Sequence, residues 1–393
     1  MNRKPIPLLL AIALILALLL PSAALAQQAP FAGGSGTPED PWQVATAEQL
    51  DAVRQHLDGH FALTTDIDLS GLQNFEPIGR FEPLSEKPED EETPKPELTF
   101  TGTLDGQGHK ISNLAISRPE TASVGLFGVV GGEGWVRSLT LENAAVEGKT
   151  LVGALIGFAQ TKTALEDLHL TGANKVTADS MVGGLIGGSF SDIVNCSAEA
   201  DVVMTGEEAQ GAGILVGGAE GSAFNACSAK GSVTAMGAGA FSVGGLSGCA
   251  QASKEVGDCT ADATIQVGGG AALVGGLLGH AGMHDGTATV IAGCKASARI
   301  IVGEGSERVG GIVGGGFYMG KYKEYYAEPG LFEVVGCEST GDIQGGKVAG
   351  SIAGYLYGGS KIGDGCVAGM TLNGEPGPAA GATEAEVPLE QLR

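Results

Sequence analysis

The chain has 393 residues, of which 67 are glycine, 17% are charged and 5% are aromatic, and its net charge is −23. Glycine without a strict every-third-residue period excludes collagen, and a hydrophobic fraction of 43% excludes disorder over most of the length. So acidic a composition lacks the basic face that nucleic acid or an anionic membrane surface needs.

The chain opens with basic residues in NRK (2–4), followed by PIPLLLAIALILALLLPSAALA. A charged start, an apolar run and small residues at Ala24 and Ala26 predict a secretory signal peptide over 1–26, cleaved before Gln27. An uncleaved membrane anchor is the alternative, because the apolar run is long; the Ala-Leu-Ala ending favours cleavage. No cysteine follows the run to carry a lipid. No later segment reaches the roughly 18 apolar residues of a membrane span, so the mature chain is expected outside the cell without membrane insertion.

Residues 27–123 read as an N-terminal cap and the first strands. TAEQLDAVRQHL (46–57) is the one convincing helix: Thr46 and Gln49 match a capping box, Leu50, Val53 and Leu57 form an apolar stripe, and Gly59 ends it. A solenoid needs such a cover at its open end. FALTTDIDL (61–69) and TFTGTLDGQGHKISNLAI (99–116) supply strands, and the acidic, proline-rich stretch 85–97 between them is expected to be a disordered loop.

From residue 124 to 372 the sequence repeats. VGLFG, VGALIG, VGGLIG, AGILVG, VGGLSG, VGGLLG, VGGIVG and AGSIAG start at 124, 152, 182, 212, 243, 274, 309 and 349. A near-constant period in the range of roughly 20–50 residues marks a solenoid or propeller. In phase with it, Cys196-Ala198-Ala200-Val202 alternates as a half-buried strand does, and five later strands headed by Cys227, Cys259, Cys294, Cys337 and Cys366 follow suit. No helical pattern intervenes, so βαβ units are excluded. Val182 and Leu185 cannot share one strand face, so the chain must bend between them, and the glycines are expected to supply the backbone angles of that bend. A phosphate loop would need a helix after the glycines, and none follows. On the outward side, Glu199, Lys230 and Asp262 fall in one column of alternating sign. Lys295 faces Glu338 and Arg299 faces Asp342, a solvated face of paired charge rather than a catalytic carboxylate pair. The tail, 373–393, loses the pattern and is expected to be flexible.

The stretches GGSGTPEDPWQVATAEQLDAVR, DIDLSG, PIG, FTGTLDGQGHKISNLAI and VGLFG, with the later VGGLxG units, resemble the GLUG-repeat proteins over roughly residues 31–372. The resemblance implies an exported β-solenoid, of the kind found in surface adhesin-like proteins and upstream of the catalytic domain in bacterial immunoglobulin A proteases. The zinc-protease motif HExxH of those proteases is absent from this sequence, so the resemblance implies no protease activity.

Candidate chemistry is sparse. His280 and His284 have helical metal-ligand spacing but lie in HAGMHDG with no acidic residue between them, which favours solvated loop histidines. Asp66 and Asp68 share one strand face without the further ligands of a calcium site. Asp105 in LDGQGHK suits a turn. The six in-phase cysteines suit a ladder of buried free thiols, with disulfides between coils as the alternative; Cys249 falls outside the pattern. All six tyrosines lie between Tyr318 and Tyr357. Tyr318, Tyr322, Tyr325 and Tyr326, with Lys321 and Lys323, are the candidate ligand-binding residues, suited to an extracellular glycan or protein. An end cover for the sheet is the competing role for that segment, and the two are compatible.

The sequence therefore predicts an all-β, parallel β-solenoid of about 30-residue coils, right-handed winding being expected, with a short N-terminal capping helix. The function expected is a secreted or cell-surface structural or adhesive module without catalysis, metal or cofactor. A polysaccharide-active β-helix enzyme and a scaffold subunit of a surface complex are the alternatives.

Overall fold

A computed structural model describes residues 30–80, 98–253, 255–283, 287–316 and 330–383. They form a parallel β-solenoid with three faces. One face carries the long strands, such as Ser197–Met204, Ser228–Ala235, Thr260–Val267 and Lys295–Val302. A second face carries eight short strands, among them Ser180–Gly183, and a third carries nine, among them Ile186–Ser189. Each strand pairs in parallel with its equivalent in the coils on either side, so the backbone amides are satisfied between coils and not within them.

The eight motif starts fall in one column. Val124, Val152, Val182, Ala212, Val243, Val274, Val309 and Ala349 stand side by side in successive strands of the second face. The bend follows two residues later, between the second face and the third. Val182 and Leu185 are both fully buried, each on its own side of the corner.

The reason for glycine at this corner differs from the one expected. Gly183, Gly184 and Gly187 have no positive φ; the left-handed residue is the one before the motif valine, at Ser123 (φ 55), Leu151 (56), Met181 (50), Ser242 (57), Leu273 (59) and Arg308 (58). The motif glycines are needed because there is no room for a side chain. A Cβ on Gly184 would lie 2.2 Å from the Ile214 carbonyl oxygen of the next coil and 2.9 Å from Ala200 Cβ across the core. A Cβ on Gly187 would lie 2.3 Å from the Leu151 carbonyl carbon of the preceding coil.

The two repeating patterns thus explain each other. The second motif glycine faces the alanine columns of the long strand: a Cβ at Gly245 would approach Ala263 Cβ to 3.0 Å and Ala261 Cβ to 3.1 Å, and one at Gly276 would approach Ala298 Cβ to 3.2 Å. One coil carries Ile214 in place of that glycine. There the alanine column is interrupted by Gly231, which stands beside Ala200 in the ladder. Gly231 has a φ of 136°, and a Cβ there would lie 2.1 Å from the Ala200 carbonyl oxygen of the preceding coil.

The ends are closed by different means. At the N-terminus, the helix Ala47–Ala52 passes directly into a 3-10 turn, Val53–Gln55, and so is shorter than the 46–57 expected. Thr46 accepts the Gln49 N–H at 3.3 Å, and Gln49 Oε1 accepts from the Ala45 N–H at 2.7 Å. Leu50 and Val53 are fully buried over the first coil. Phe31 stacks on Trp42 at 5.0 Å, and an aromatic series runs inward from Phe61 through Phe100 to Phe127. At the C-terminus, residues 373–383, the described part of the tail beyond the repeats, carry two short strands. Glu375–Pro376 pairs antiparallel with the last long strand, and Ala380–Thr383 adds a ninth strand to the third face. Glu375–Pro376 runs antiparallel and Ala380–Thr383 is only four residues long, so neither left a repeat pattern in the sequence.

The longer spacings at the late coils arise at one corner, where the third face turns into the long-strand face. Gly316 and Gly330 flank residues 317–329 and lie against each other: a Cβ on Gly316 would be 2.1 Å from the Gly330 carbonyl oxygen. The insertion leaves and re-enters the stack at one point. Among the described residues, no helix is long and apolar enough to cross a membrane.

Overpacking a core commonly costs about 1–3 kcal/mol, and here the clash is with backbone. Gly184→Val should therefore lower stability by about 3 kcal/mol or more in chemical denaturation. Adding Ala200→Gly should recover part of that loss, because it removes the Ala200 Cβ that a side chain at 184 would meet at 2.9 Å. Gly71→Ala, where a Cβ meets nothing within 4 Å, should leave the midpoint nearly unchanged.

Candidate functional site

The six ligand-binding candidates, Tyr318, Lys321, Tyr322, Lys323, Tyr325 and Tyr326, lie outside the described residues. The acidic loop 85–97, the segment 1–26 and His284 also lie outside them. Of the two tyrosines that are described, Tyr355 is buried beside Val348 and Ala382 at the C-terminal end.

The outer columns of the long-strand face pair as expected. Glu199, Lys230 and Asp262 stand in register, with Lys230 Nζ 3.6 Å from Glu199. Lys295 lies 3.4 Å from Glu338, and Arg299 stands beside Asp342. Lys361 meets Glu333 at 3.1 Å on the same face. Each carboxylate in these pairs meets a cation one coil away, which leaves none in the like-charge pairing that would raise a catalytic pKa.

The cysteine ladder is a buried column of free thiols. Cys196, Cys227, Cys259, Cys294 and Cys337 are at most 1% exposed, while Cys366 in the last coil is partly exposed. The Cys259 N–H donates to Cys294 Sγ at 3.4 Å and the Cys294 N–H to Cys337 Sγ at 3.4 Å, so these two sulfurs each accept from the backbone of the preceding coil. In two earlier coils Leu139 and Leu168 occupy the same column, which identifies the position as apolar filling. Burial holds the Cys196 thiol well above its ordinary range. A second ladder, invisible in the sequence, runs along the corner after the third face. Ser191 Oγ donates to the Thr161 carbonyl at 2.8 Å and Ser222 Oγ to that of Ser189 at 3.3 Å.

Other candidates resolve into structural roles. Asp66 accepts the Lys110 N–H at 3.0 Å and meets His109 at 3.2 Å; Asp68 accepts from Asn113 and from Ser70. These bonds hold both carboxylates below their usual range, Asp66 chiefly through the Lys110 amide and Asp68 chiefly through Asn113. Asp105 accepts the Gln107 N–H at 2.9 Å, the turn predicted for it. Among the described residues, no group of three or more His, Cys, Asp or Glu is placed to hold a metal.

His280 is not a solvated loop histidine. It sits in the strand Leu278–Gly282, is 3% exposed, and its Nδ1 shares a hydrogen bond with Ser242 Oγ. Gly282, which had suggested a loop, is the last residue of that strand. His280 belongs to a groove that the sequence did not disclose.

That groove runs across the coils where the second and third faces meet, and encloses about 640 Å³. Its floor includes one column of the third face: Phe158, Gly188, Gly218, Cys249 and His280. The left-handed residues Leu151 and Met181 lie over this column. A Cβ at Gly188 would meet Leu151 Cδ2 at 2.6 Å, and one at Gly218 would meet Met181 Cε at 2.6 Å. The left-handed turn is thus what carries these side chains out of the core and into the groove. Only Gly211, at the same position in one coil, hints at it in the sequence.

Phe190, 54% exposed, packs edge-on against Phe158 at 5.2 Å, and Phe241 lies 6.1 Å from the His280 ring. Gln160, Gln210 and Gln251 line the rims, with Glu220 beside Gln251; among the described residues, no lysine or arginine lines the groove. Burial pushes the Cys249 thiol up to about 11, so at neutral pH it is a thiol and not a nucleophilic thiolate.

Comparison with known proteins bears on this corner directly. The family model of the GLUG motif matches residues 178–203. The chain carries a GLUG motif. The matched GLUG unit takes in Met181 and Gly188 of the groove floor, Phe190 on its rim, the bend at Gly184 and the first ladder cysteine, Cys196. Halomucin of Haloquadratum walsbyi is 36% identical over 165 residues, 41% of this chain and 2% of that protein. A protein described as a Gly-rich membrane protein, from Evansella cellulosilytica, is 39% identical over 142 residues, 35% of this chain and 15% of its own length. The chain thus matches a small part of either relative. Among solved structures, a protein described as an immunoglobulin A1 protease from Bacteroides ovatus aligns over 87% of this chain and 86% of that one. Its TM-score is 0.49, at 17% identity.

Two outcomes follow from the thiols. Labelling the denatured, unreduced protein should modify all seven cysteines, where inter-coil disulfides would leave most of them unreactive. The native chain keeps the Cys249 proton up to about pH 11, whereas the unfolded chain releases it near the ordinary 9.0. The folded state then binds more protons across that window, so stability falls as pH rises from about 9 to 11. Denaturation of the parent and Cys249→Ala across this range should show a smaller decline in the variant.

Proposed function

We propose that the chain is a secreted or cell-surface β-solenoid module with a structural or adhesive role and no catalytic activity of its own. The observation that carries this reading is the single register shared by all eight motif corners. A stack in which every coil bonds to its neighbours is a stiff spacer whose loops can vary without disturbing the rod. The paired charges of its long face suit a solvated exterior.

The N-terminal signal sequence supports export. The names of the two relatives, halomucin and a Gly-rich membrane protein, favour a place at the cell boundary. Recognition of a glycan or protein by Tyr318, Tyr322, Tyr325 and Tyr326 with Lys321 and Lys323 remains part of the proposal. The insertion that carries them starts and ends at one corner, where loop variation is tolerated.

Expression of the full chain in a secreting bacterial host should yield exported protein beginning at Gln27. Retention in the cytoplasm with the leader intact would contradict the localisation. Replacing the four tyrosines by serine should weaken adhesion to glycan- or protein-coated surfaces while the melting temperature holds. Unfolding of the stack would make the segment a cover instead.

A further inference from the structure

We infer that the groove between the second and third faces binds an uncharged polysaccharide chain laid along the solenoid axis. This deepens the adhesive reading by naming a ligand class. It assigns the site to the rod itself and not to the tyrosine-rich insertion.

The length of the groove excludes a small ligand as its natural occupant. Its lining reaches from the coil of Ala122 to that of His280, six coils and so five steps of about 4.8 Å, or roughly 24 Å. The direction excludes strand addition: the groove crosses the strands, and the strands along it already pair on both sides. An extended peptide would find no free ladder of amides there.

The chemistry of the lining narrows the class. Phe158, Phe190 and Phe241 offer ring surface, while Gln160, Gln210 and Gln251 offer both donors and acceptors at the rims. A lipid or apolar peptide would bury those three amides against hydrocarbon, leaving them without partners. A polyanion would find no lysine or arginine among the described lining residues and would meet Glu220. A neutral sugar polymer presents C–H faces and hydroxyls together, unit after unit, and so meets rings and amides at once. The repeat of the coils supplies the repeat of contacts.

The test uses the purified mature chain and calorimetric titration with neutral hexasaccharides of glucose, xylose, mannose and N-acetylglucosamine. Polygalacturonate, hyaluronate and an unstructured neutral peptide serve as comparisons. At least one neutral hexasaccharide should bind, with affinity that falls as the oligomer shortens and changes little between low and high salt. Phe190→Ala with Phe241→Ala should weaken it tenfold or more. Gln251→Ala should weaken it less, with melting temperature unchanged in each case. The tyrosine-to-serine variant should bind it as the parent does.

Binding confined to polyanions or peptide, binding untouched by the groove variants, or no binding to any neutral oligomer would overturn the inference. Cleavage of the oligomer on incubation would overturn it in favour of an enzyme. Loss of binding in the tyrosine variant alone would overturn the groove assignment and leave the adhesive role standing.

Discussion

The structure depends on the absence of a side chain at the motif corners. In each coil the second and third faces must turn within two residues, and the strands on either side must approach both the neighbouring coil and the opposite wall. Gly183, Gly184 and Gly187 stand where a Cβ would meet backbone atoms at 2.0 to 2.3 Å. Because those contacts are with backbone, no rotamer change can relieve them. The coil can close only if the positions of Gly183 and Gly187 stay bare; the position of Gly184 admits Ala154, Ile214 and Ser351 in other coils. Once they do, the backbone amides of each coil meet those of the next in register, and the stack propagates by translation.

That constraint determines the rest of the cross-section. A corner without side chains brings the walls close, so the facing long strand must carry alanine or glycine there, as Ala198, Ala200, Ala229 and Gly231 show. The ladder position a little before them holds cysteine, larger than alanine and smaller than the Leu139 and Leu168 of earlier coils. The cysteines fill that column as small apolar residues. The same close approach has an outward consequence. With glycine at 188 and 218 on the third face, the left-handed side chains of Leu151 and Met181 can lie flat against it, and a groove results. The groove is the outer side of the packing device.

The fold was legible in the sequence because repetition exposes register. Equal spacing placed the eight motif valines and alanines in one column, and period-two alternation placed Cys196, Ala198, Ala200 and Val202 on one buried face. The role of the motif glycines was misread as conformational freedom. Positive φ and steric closeness leave the same letter in a sequence, and only coordinates separate them. The groove was hidden for a related reason: Leu151, Met181 and Ser242 are ordinary residues in a left-handed conformation, and Phe158, Gln210 and Phe241 are scattered through the chain, one or two coil lengths apart. Their neighbourhood is produced by the coil period and not by local spacing. His280 was misplaced because its flanking glycines read as loop. The candidate site on the tyrosine-rich segment rests on composition alone, whereas the groove rests on geometry.

The central claim is that translation by one coil relates every equivalent position along the stack. Glu199, Lys230, Asp262, Ser297 and Thr340 occupy one outward column in successive coils. Pulsed dipolar spectroscopy between spin labels introduced at 199 and 340, by chemistry that spares the buried thiols, measures that translation directly. Four steps of about 4.8 Å predict a backbone separation of roughly 19 Å with a narrow distribution. A separation that departs from four equal steps by more than the reach of the labels, or a distribution broad enough to imply coils moving independently, would contradict the account.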